Sequence, residues 1–453
     1  MMNDAGGGGS DGNRHPQNGN AVMTNPALDP RAFLTGLFRS AVDAADPMQV
    51  VAAQLPPRPS GRLLVIGAGK ASARMAEAVE AEYGPCEGLV LVRYGYARPC
   101  EGIEIVEAAH PVPDAAGEAA TARLLDLVKG LTADDLVIAL ISGGGSSLLC
   151  APVEGLTLAD KQDLNTALLA SGAPISAMNR LRKAASRVKG GRLAAACAPA
   201  RVLSLIISDV PGDAPSEIAS GPTVGDPDAD GPGVAEILGR HRIDVPTHLR
   251  RALLEGAAPL KASDPRLAHA EARVIAAPRQ SLDAASGLAR AAGVTVRQLG
   301  DALEGEARDL ATAQATEAID IAATLAPGDA PVLLLSGGEC TVTRRGDGVG
   351  GPNAEFALAA IIALAGHPRI HLIACDTDGV DGAAEVAGAY AGPATLTHAA
   401  AVGCDPGLAL DTNDAHAFFA ATGGQIVTGP TLTNVNDFRA VLILPPEVAT
   451  GAG

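Results

Sequence analysis

The sequence predicts an α/β protein of two halves, with helices layered on sheets of buried strands and ligand-binding turns where those strands end. Three observations carry this prediction. Residues 136–149, LVIALISGGGSSLL, join an unbroken apolar run to three glycines. A run without alternation reads as a strand buried on both faces, as the centre of a parallel sheet requires. Hydrophobic residues make up 47% of the chain while aromatics reach 2% and Trp is absent, so the core is built from Ala, Leu, Val and Ile, which suit helix-on-sheet layers. Finally, the succession of apolar strand and Gly- or Asp-rich turn recurs in both halves of the 453 residues, a length that admits two or three domains.

Charge and cysteine usage exclude several classes. A formal net charge of -17 argues against nucleic acid as a partner, because the phosphate backbone needs a basic surface; a small anionic substrate needs only local positive charge. Seven cysteines, at 86, 100, 150, 197, 340, 375 and 404, show no CxxC spacing and read as reduced thiols, with neither a disulfide framework nor a zinc site. No segment has the length of a membrane span or the order of a secretion signal, so a cytoplasmic protein without a membrane partner is expected.

Taken in order, residues 1–25 are rich in Gly and Asn and predict a disordered tail. An amphipathic helix follows from Asp29 through Phe33, Leu37 and Val42, and Pro56, Pro57 and Pro59 close that region. GRLLVIGAG (61–69) reads as strand and turn, and the helix after it starts beside Lys70. Strand, glycine turn and helix place orphan N–H groups beside an anion. The turn is not a Walker A loop, having Leu64 and Ala71 where that motif needs glycine and Ser or Thr. Gly67, Gly69 and Ser72 fit a dinucleotide fingerprint in part, and Arg93 at the next strand end would favour NADP over NAD. Lys70 opposes the helix dipole where it stands, which favours a functional role. His110 falls in a loop and reads equally as a substrate contact or as a structural histidine.

The central turn then offers the N–H groups of Gly143, Gly144 and Gly145 and the hydroxyls of Ser142, Ser146 and Ser147 as a cradle for anionic oxygens. Helices are expected over 158–170 and 175–197. The second carries Arg180, Arg182, Lys183, Arg187, Lys189 and Arg192, the densest positive cluster, with Arg182, Ser186 and Lys189 on one helical face. VLSLIIS ends in Asp209, a carboxylate at the end of a strand, suited to a metal or a proton. A polar stretch around 255–272 marks a domain junction, dividing 26–262 from 263–453. Beyond it, strands at ARVIAA and VTVRQLG and a helix from Glu304 to about Ala326 precede VLLLSGGEC. That segment repeats the first theme with Ser336, Gly337, Gly338 and Glu339. HLIAC runs into DTDGVDG, whose Asp376, Asp378 and Asp381 repel one another unless donors or a cation compensate. Magnesium with a polyphosphate is the natural compensation.

The ordered set VIGAGKAS, HPVPD, LISGGGSSLL, RKAASRVKGGRLA, ISDVPGD, ASGPTVGDP, LLLSGGE, GGPNAEFALA, DTDGVDG and ATGGQIVTGPTLTNVNDF, spanning about Ala32 to Leu444, resembles the class II glycerate 2-kinases, a family ending in a MOFRL domain. Some of its members are labelled hydroxypyruvate reductases. The resemblance implies a Rossmann-like N-terminal domain, a smaller mixed-sheet C-terminal domain, and transfer of the ATP γ-phosphoryl group to the 2-hydroxyl of D-glycerate in an interdomain cleft. By its motifs Lys70 is a substrate or phosphate ligand, and residues 142–147 and 336–339, with Asn353, are nucleotide-cradle positions. Two departures stand out. Ala184 replaces the histidine of RKHLS, and Pro352 replaces the arginine of GGRNQE, leaving Lys70, Arg182 and Arg345 for anion binding.

On this reading the cradles hold ATP, magnesium sits near Asp376 or Asp378, Lys70 and Arg182 neutralise the transferred group, and Asp209 accepts the hydroxyl proton. A homodimer is left open. Two alternatives stand beside it: an NAD(P)H-dependent hydroxypyruvate reductase, and a nucleotide- or metabolite-binding protein without turnover.

Overall fold

The computed structural model describes residues 25–256 and 258–448, so all of the expected disordered tail except Asn25 lies outside the described residues. Helix α1 (Pro30–Asp43) starts after Asp29, whose carboxylate accepts the Ala32 N–H at 2.9 Å, and Pro30 occupies the first turn, where its missing N–H costs nothing. The short α2 (Pro47–Val50) follows. The chain then builds the six-stranded first sheet from β1 (Leu63–Ala68), β2 (Glu87–Arg93), β3 (Ile103–Ala108), β4 (Leu136–Ile141), β5 (Arg201–Ile207) and β6 (Ala270–Ala276). Every pairing is parallel, in the order β3-β2-β1-β4-β5-β6, the order of doubly wound nucleotide-binding folds. All six residues of β4 are buried, as its unbroken apolar run requires.

Between these strands the chain forms α3 (Ser72–Tyr83), α4 (Ala115–Leu127), the single turn α5 (Gly145–Leu148), α6 (Leu158–Ala170), α7 (Ile175–Ala184), α8 (Arg192–Ala196), α9 (Val234–Arg240) and α10 (Thr247–Glu255). α6, α7, α9 and α10 share a small apolar cluster, including Leu164, Leu181, Leu238 and Leu249, apart from the sheet's own core. The single helix expected over 175–197 is two. α7 stops at Ala184, Ser186 bridges to Pro152, and Gly190 and Gly191 take φ of 60° and 81° before α8 begins. Left-handed backbone ends a helix, and the glycines permit it.

The second half adds α11 (Pro278–Ala291), β7 (Thr295–Gly300), a two-stranded ladder of β8 (Gly305–Glu306) and β10 (Cys340–Thr341), α12 (Ala307–Thr324), β9 (Val332–Gly338), α13 (Pro352–Leu364), β11 (Ile370–Asp376), β12 (Gly388–Ala391), α14 (Thr395–Ala401), α15 (Pro406–Asp411), α16 (Ala415–Thr422), β13 (Gln425–Ile426) and β14 (Asp437–Ile443). The sheet order is β13-β12-β11-β14-β9-β7, antiparallel except for β7 with β9. A mixed sheet thus stands beside a parallel one. No helix among the described residues is long and apolar enough to cross a membrane.

Two segments lie across the expected boundary between 262 and 263. β6 is the last strand of the first sheet rather than the opening of the second domain. Conversely, Phe33, Leu34, Leu37 and Phe38 of α1 pack with Leu282, Leu333 and Phe438 of the C-terminal domain. Burying four such side chains is worth roughly 6–12 kcal/mol gross, so α1 belongs energetically to the domain that is distant from it in sequence. The polar stretch that marked the junction is a surface crossover, and sheet pairing decides membership.

Candidate functional site

Sheet order reverses between β1 and β4, and the crevice at their carboxyl ends is where open α/β sheets bind ligands. The two loops there are locked together. Lys70 N–H donates to the Gly143 carbonyl at 2.8 Å, Ser142 Oγ accepts the Ala71 N–H at 3.0 Å, and Ser72 Oγ lies 3.2 Å from Ser142 Oγ while donating to the Leu140 carbonyl. Ser142 is fully buried and stoppers the start of α3. A Cβ on Gly67 would lie 2.3 Å from the Leu140 oxygen, and one on Gly69 2.1 Å from Ser142 Oγ. The partial dinucleotide fingerprint therefore serves loop-on-loop packing, and the helix start that a pyrophosphate would use is filled by a serine.

Further along the second loop, a Cβ on Gly143 would lie 1.8 Å from Asp209 Oδ2, so glycine is what lets that carboxylate approach. Gly144 is left-handed at φ 81°, with His110 and the Lys70 stem on its bare side. Ser146 Oγ meets Ser220 Oγ at 2.8 Å, and Ser147 Oγ donates to the Gly144 carbonyl at 3.0 Å.

On one side of this loop the two domains meet in an acidic cluster. Lys70 Nζ reaches Asp378 Oδ2 at 2.5 Å, with 16% and 0% of the side chains exposed. Asp378 Oδ1 accepts the Val380 N–H, and the Asp378 N–H donates to Asp376 Oδ1. Asp209 accepts from Asn434 Nδ2 at 3.0 Å through its side chain and from Asn436 Nδ2 at 3.1 Å through its carbonyl. Burial would lower the Lys70 pKa, but Asp378, Asp376 and Asp209 more than offset it and hold the ammonium charged. Burial, then Asp378 and Asp437, push Asp376 well up, and burial raises Asp209. Glu339, which emerges from the end of the strand, borders the same space; desolvation by the surrounding protein and the charges of Asp209 and Asp437 push it up to about 7. One lysine thus faces several carboxylates that it cannot all neutralise, and such a set suits a cation.

On the other side of Gly144 lies a partly open pocket of about 330 Å³, lined among others by His110, Ser147, Lys161, Asn165, Arg182 and Lys189. Among the described residues no carboxylate lines it. Arg182 donates to Asn165 Oδ1 at 2.9 Å and Asn179 Oδ1 at 3.2 Å. Lys189 Nζ donates to the carbonyls of Ser146 and, at 3.1 Å, Leu149. Burial, aided by Lys70 and Arg93, pushes His110 down to about 4, so its ring is neutral.

The second expected cradle is not brought to this crevice as a turn. Ser336, Gly337 and Gly338 lie buried within β9, paired with Arg439, Phe438 and Asp437 of β14. Ser336 Oγ accepts from Gln314 at 3.1 Å, and the two glycine carbonyls accept from the buried Arg439 guanidinium. Only Glu339 emerges. Asn353 is also buried, its amide donating to Asp437 Oδ1 at 2.7 Å. Asp381 caps α13, accepting the N–H groups of Asn353 and Ala354 at 3.0 and 2.8 Å, with His416 Nε2 3.0 Å away. Pro352 opens that helix, and Arg345 is exposed.

Sequence reasoning missed Lys161, Asn434, Asn436 and Asp437. A lysine in a helix reads as solvated, so Lys161 gave no signal. The run NVND before an apolar strand was a signal, since acids and amides at a buried strand's start need partners.

The matching families are a domain of unknown function, DUF4147, over residues 33–254 and the MOFRL family over 332–437. An Agrobacterium vitis protein, whose name gives hydroxypyruvate reductase as a provisional assignment, is 48% identical, covering 94% of this chain and 98% of its own. The D-glycerate 2-kinase of Thermotoga maritima is 36% identical, covering 90% and 97%. Among solved structures, the glycerate kinase of T. maritima superposes with a TM-score of 0.80 at 35% identity, covering 90% of this chain and 98% of that one. A Pyrococcus horikoshii protein gives 0.74 at 33% identity, covering 92% and 99%. With both domains matched in order, and with whole-length likeness in sequence and structure, the chain belongs to the class II glycerate kinase family of kinase-type enzymes.

Proposed function

We propose that the protein transfers the γ-phosphoryl group of ATP to the 2-hydroxyl of D-glycerate in the crevice around Gly143–Ser147. The observation that carries this reading is Lys70: it extends from the first domain into the carboxylates of the second, 2.5 Å from Asp378, beside the cationic pocket. Phosphoryl transfer needs positioning and charge neutralisation more than covalent help. Asp209, raised by burial and oriented by Asn434, accepts the hydroxyl proton. Lys70 neutralises charge on the transferred group, while Asp378 holds the ammonium in place. Arg182, beyond Gly144, supplies positive charge for the substrate's anionic groups.

Asp376 and Glu339 would hold magnesium, which would supply positive charge to offset the carboxylates and the charge on the transferred phosphoryl group. Among the described residues no group of three or more His, Cys, Asp or Glu is arranged to hold a metal ion. The stoppered start of α3 weighs against the NAD(P)H reductase reading, since the pyrophosphate site of that fold is taken by Ser142.

The test is incubation with D-glycerate, ATP and magnesium, followed by phosphorus NMR, beside an assay of NAD(P)H oxidation on hydroxypyruvate. Formation of 2-phosphoglycerate is expected. Cofactor oxidation without phosphoglycerate would overturn the kinase reading in favour of the reductase.

A further inference from the structure

The pocket beside Gly144 contains an electrostatic anomaly. Lys161 Nζ is buried without a hydrogen-bond partner, although a buried ammonium normally finds a carboxylate or several carbonyls. Arg182 and Lys189 share the pocket, and both are spent on neutral oxygens: amide carbonyls for one, backbone carbonyls for the other. Three cationic side chains therefore converge on about 330 Å³ with no anion among the lining residues. Burial lowers the pKa of all three; Lys161 and Arg182 lower Lys189 further, and Arg182 lowers Lys161 while Cys150 and Glu118 raise it. A bound anion would reverse that.

Gly144 is the shared wall between this pocket and Lys70. Its missing side chain leaves the Lys70 stem 3.4 Å and the His110 ring 3.0 Å from where a Cβ would stand. The Lys70 stem and the His110 ring fill the bare side of the glycine, so a small acid seated in the pocket lies against the same wall that carries Lys70 toward the acidic cluster. Neutral His110 offers it one ring nitrogen as a donor without adding charge. Resting on the kinase reading above, we infer that this pocket is the subsite for the carboxylate of the acceptor acid, with Lys161 as the residue that binds it. The ligand class is a short 2-hydroxy carboxylate, its acid group toward α6 and α7 and its hydroxyl toward Asp209.

Lys161→Met removes the ammonium and keeps the stem. A charged hydrogen bond to a bound carboxylate corresponds to about a 10- to 100-fold change in affinity. The expected result is a rise of that size in KM for D-glycerate with KM for ATP unchanged, and partial recovery in Lys161→Arg. A rise in KM for ATP instead would assign the pocket to nucleotide phosphates and overturn the inference, as would no change in either constant. Binding is read separately by thermal shift with D-glycerate, inorganic phosphate or ATP alone. D-glycerate should stabilise the native protein and not Lys161→Met, while a phosphate or ATP response lost in the variant would overturn the assignment. Without ligand, Lys161→Met should melt no lower than the native protein, because it deletes an unpartnered buried charge; a purely structural lysine would show the reverse. Arg182→Met serves as a second variant with the same expected rise in KM for D-glycerate; its ligand-free melting is not compared, because it also breaks the bonds to Asn165 and Asn179. If the acid binds through Lys161 but no phosphoglycerate forms, the pocket stands and the kinase reading falls. If phosphoglycerate forms with KM for the acid unaltered in both variants, the pocket falls alone.

Discussion

Lys70→Met tests the centre of the site. In the native protein Nζ and Asp378 Oδ2 are 2.5 Å apart, with the aspartate fully buried. At that separation and an effective dielectric of about 20, the gross attraction is about 7 kcal/mol. Desolvation of both groups offsets much of it. Removing the lysine nevertheless leaves Asp378 buried beside Asp376 with its charge uncompensated, and breaking a buried pair in this way costs about 3–5 kcal/mol. Urea unfolding at pH 8 should therefore show a loss of that size. The kcat for ATP-dependent phosphorylation should fall by about 10²–10³, the range for one lost electrostatic donor. The double variant Lys70→Met/Asp378→Asn separates the two effects. It should recover most of the stability, since the orphaned charge is gone, but none of the turnover, since the ammonium is still missing. Turnover in Lys70→Met equal to that of the native protein, or restored in the double variant, would refute the reasoning.

Three further outcomes follow from the same geometry. Asp376, Asp437 and Glu339 all have folded pKa values above their unfolded ones, Asp437 at about 6 and Glu339 at about 7; stability is then fully present below about pH 4 and lost as pH rises through the folded values. In metal-free protein Asp376→Asn should thus be more stable than native to urea at pH 8, with a gain that shrinks on acidification; a gain that does not change with pH would contradict this. Gly143→Ala places a methyl 1.8 Å from Asp209 Oδ2, so it should displace that carboxylate from Asn434 and abolish most phosphorylation, measured as kcat; native turnover would remove Asp209 from the mechanism. Ser142→Ala leaves the buried Ala71 N–H without its acceptor and should cost about 1–3 kcal/mol in urea unfolding; no loss would mean that the start of α3 is not stoppered as described.

The legible parts of the sequence were those governed by local pattern. The unbroken apolar runs of β1 and β4 and the Asp29 cap of α1 each announced an element, because burial on both faces and helix capping act within a few residues. The glycines were legible as necessary but not for their reason. Gly67, Gly69 and Gly143 make room for Leu140, Ser142 and Asp209, which stand some 66 to 73 positions away along the chain, and spacing within a motif carries no trace of that. SGGE looked like a second cradle because strand followed by glycine is a local signal, whereas the antiparallel pairing of β9 with β14 that absorbs it is not.

Composition and local pattern were sufficient for an α/β protein with anion-directed turns after buried strands, since hydrophobic periodicity and turn chemistry are short-range properties. The ordered motifs were sufficient for the family. Only the folded chain assigns α1 to the C-terminal domain and β6 to the N-terminal sheet, and only there do Lys70 and Asp378, 308 residues apart, form one ion pair. The same holds for the pocket that collects Lys161, Arg182 and Lys189 from α6, α7 and the loop beyond. Charge pairing and desolvation depend on distances in space and on what excludes water, and a linear sequence fixes neither until the sheets have set which segments are neighbours.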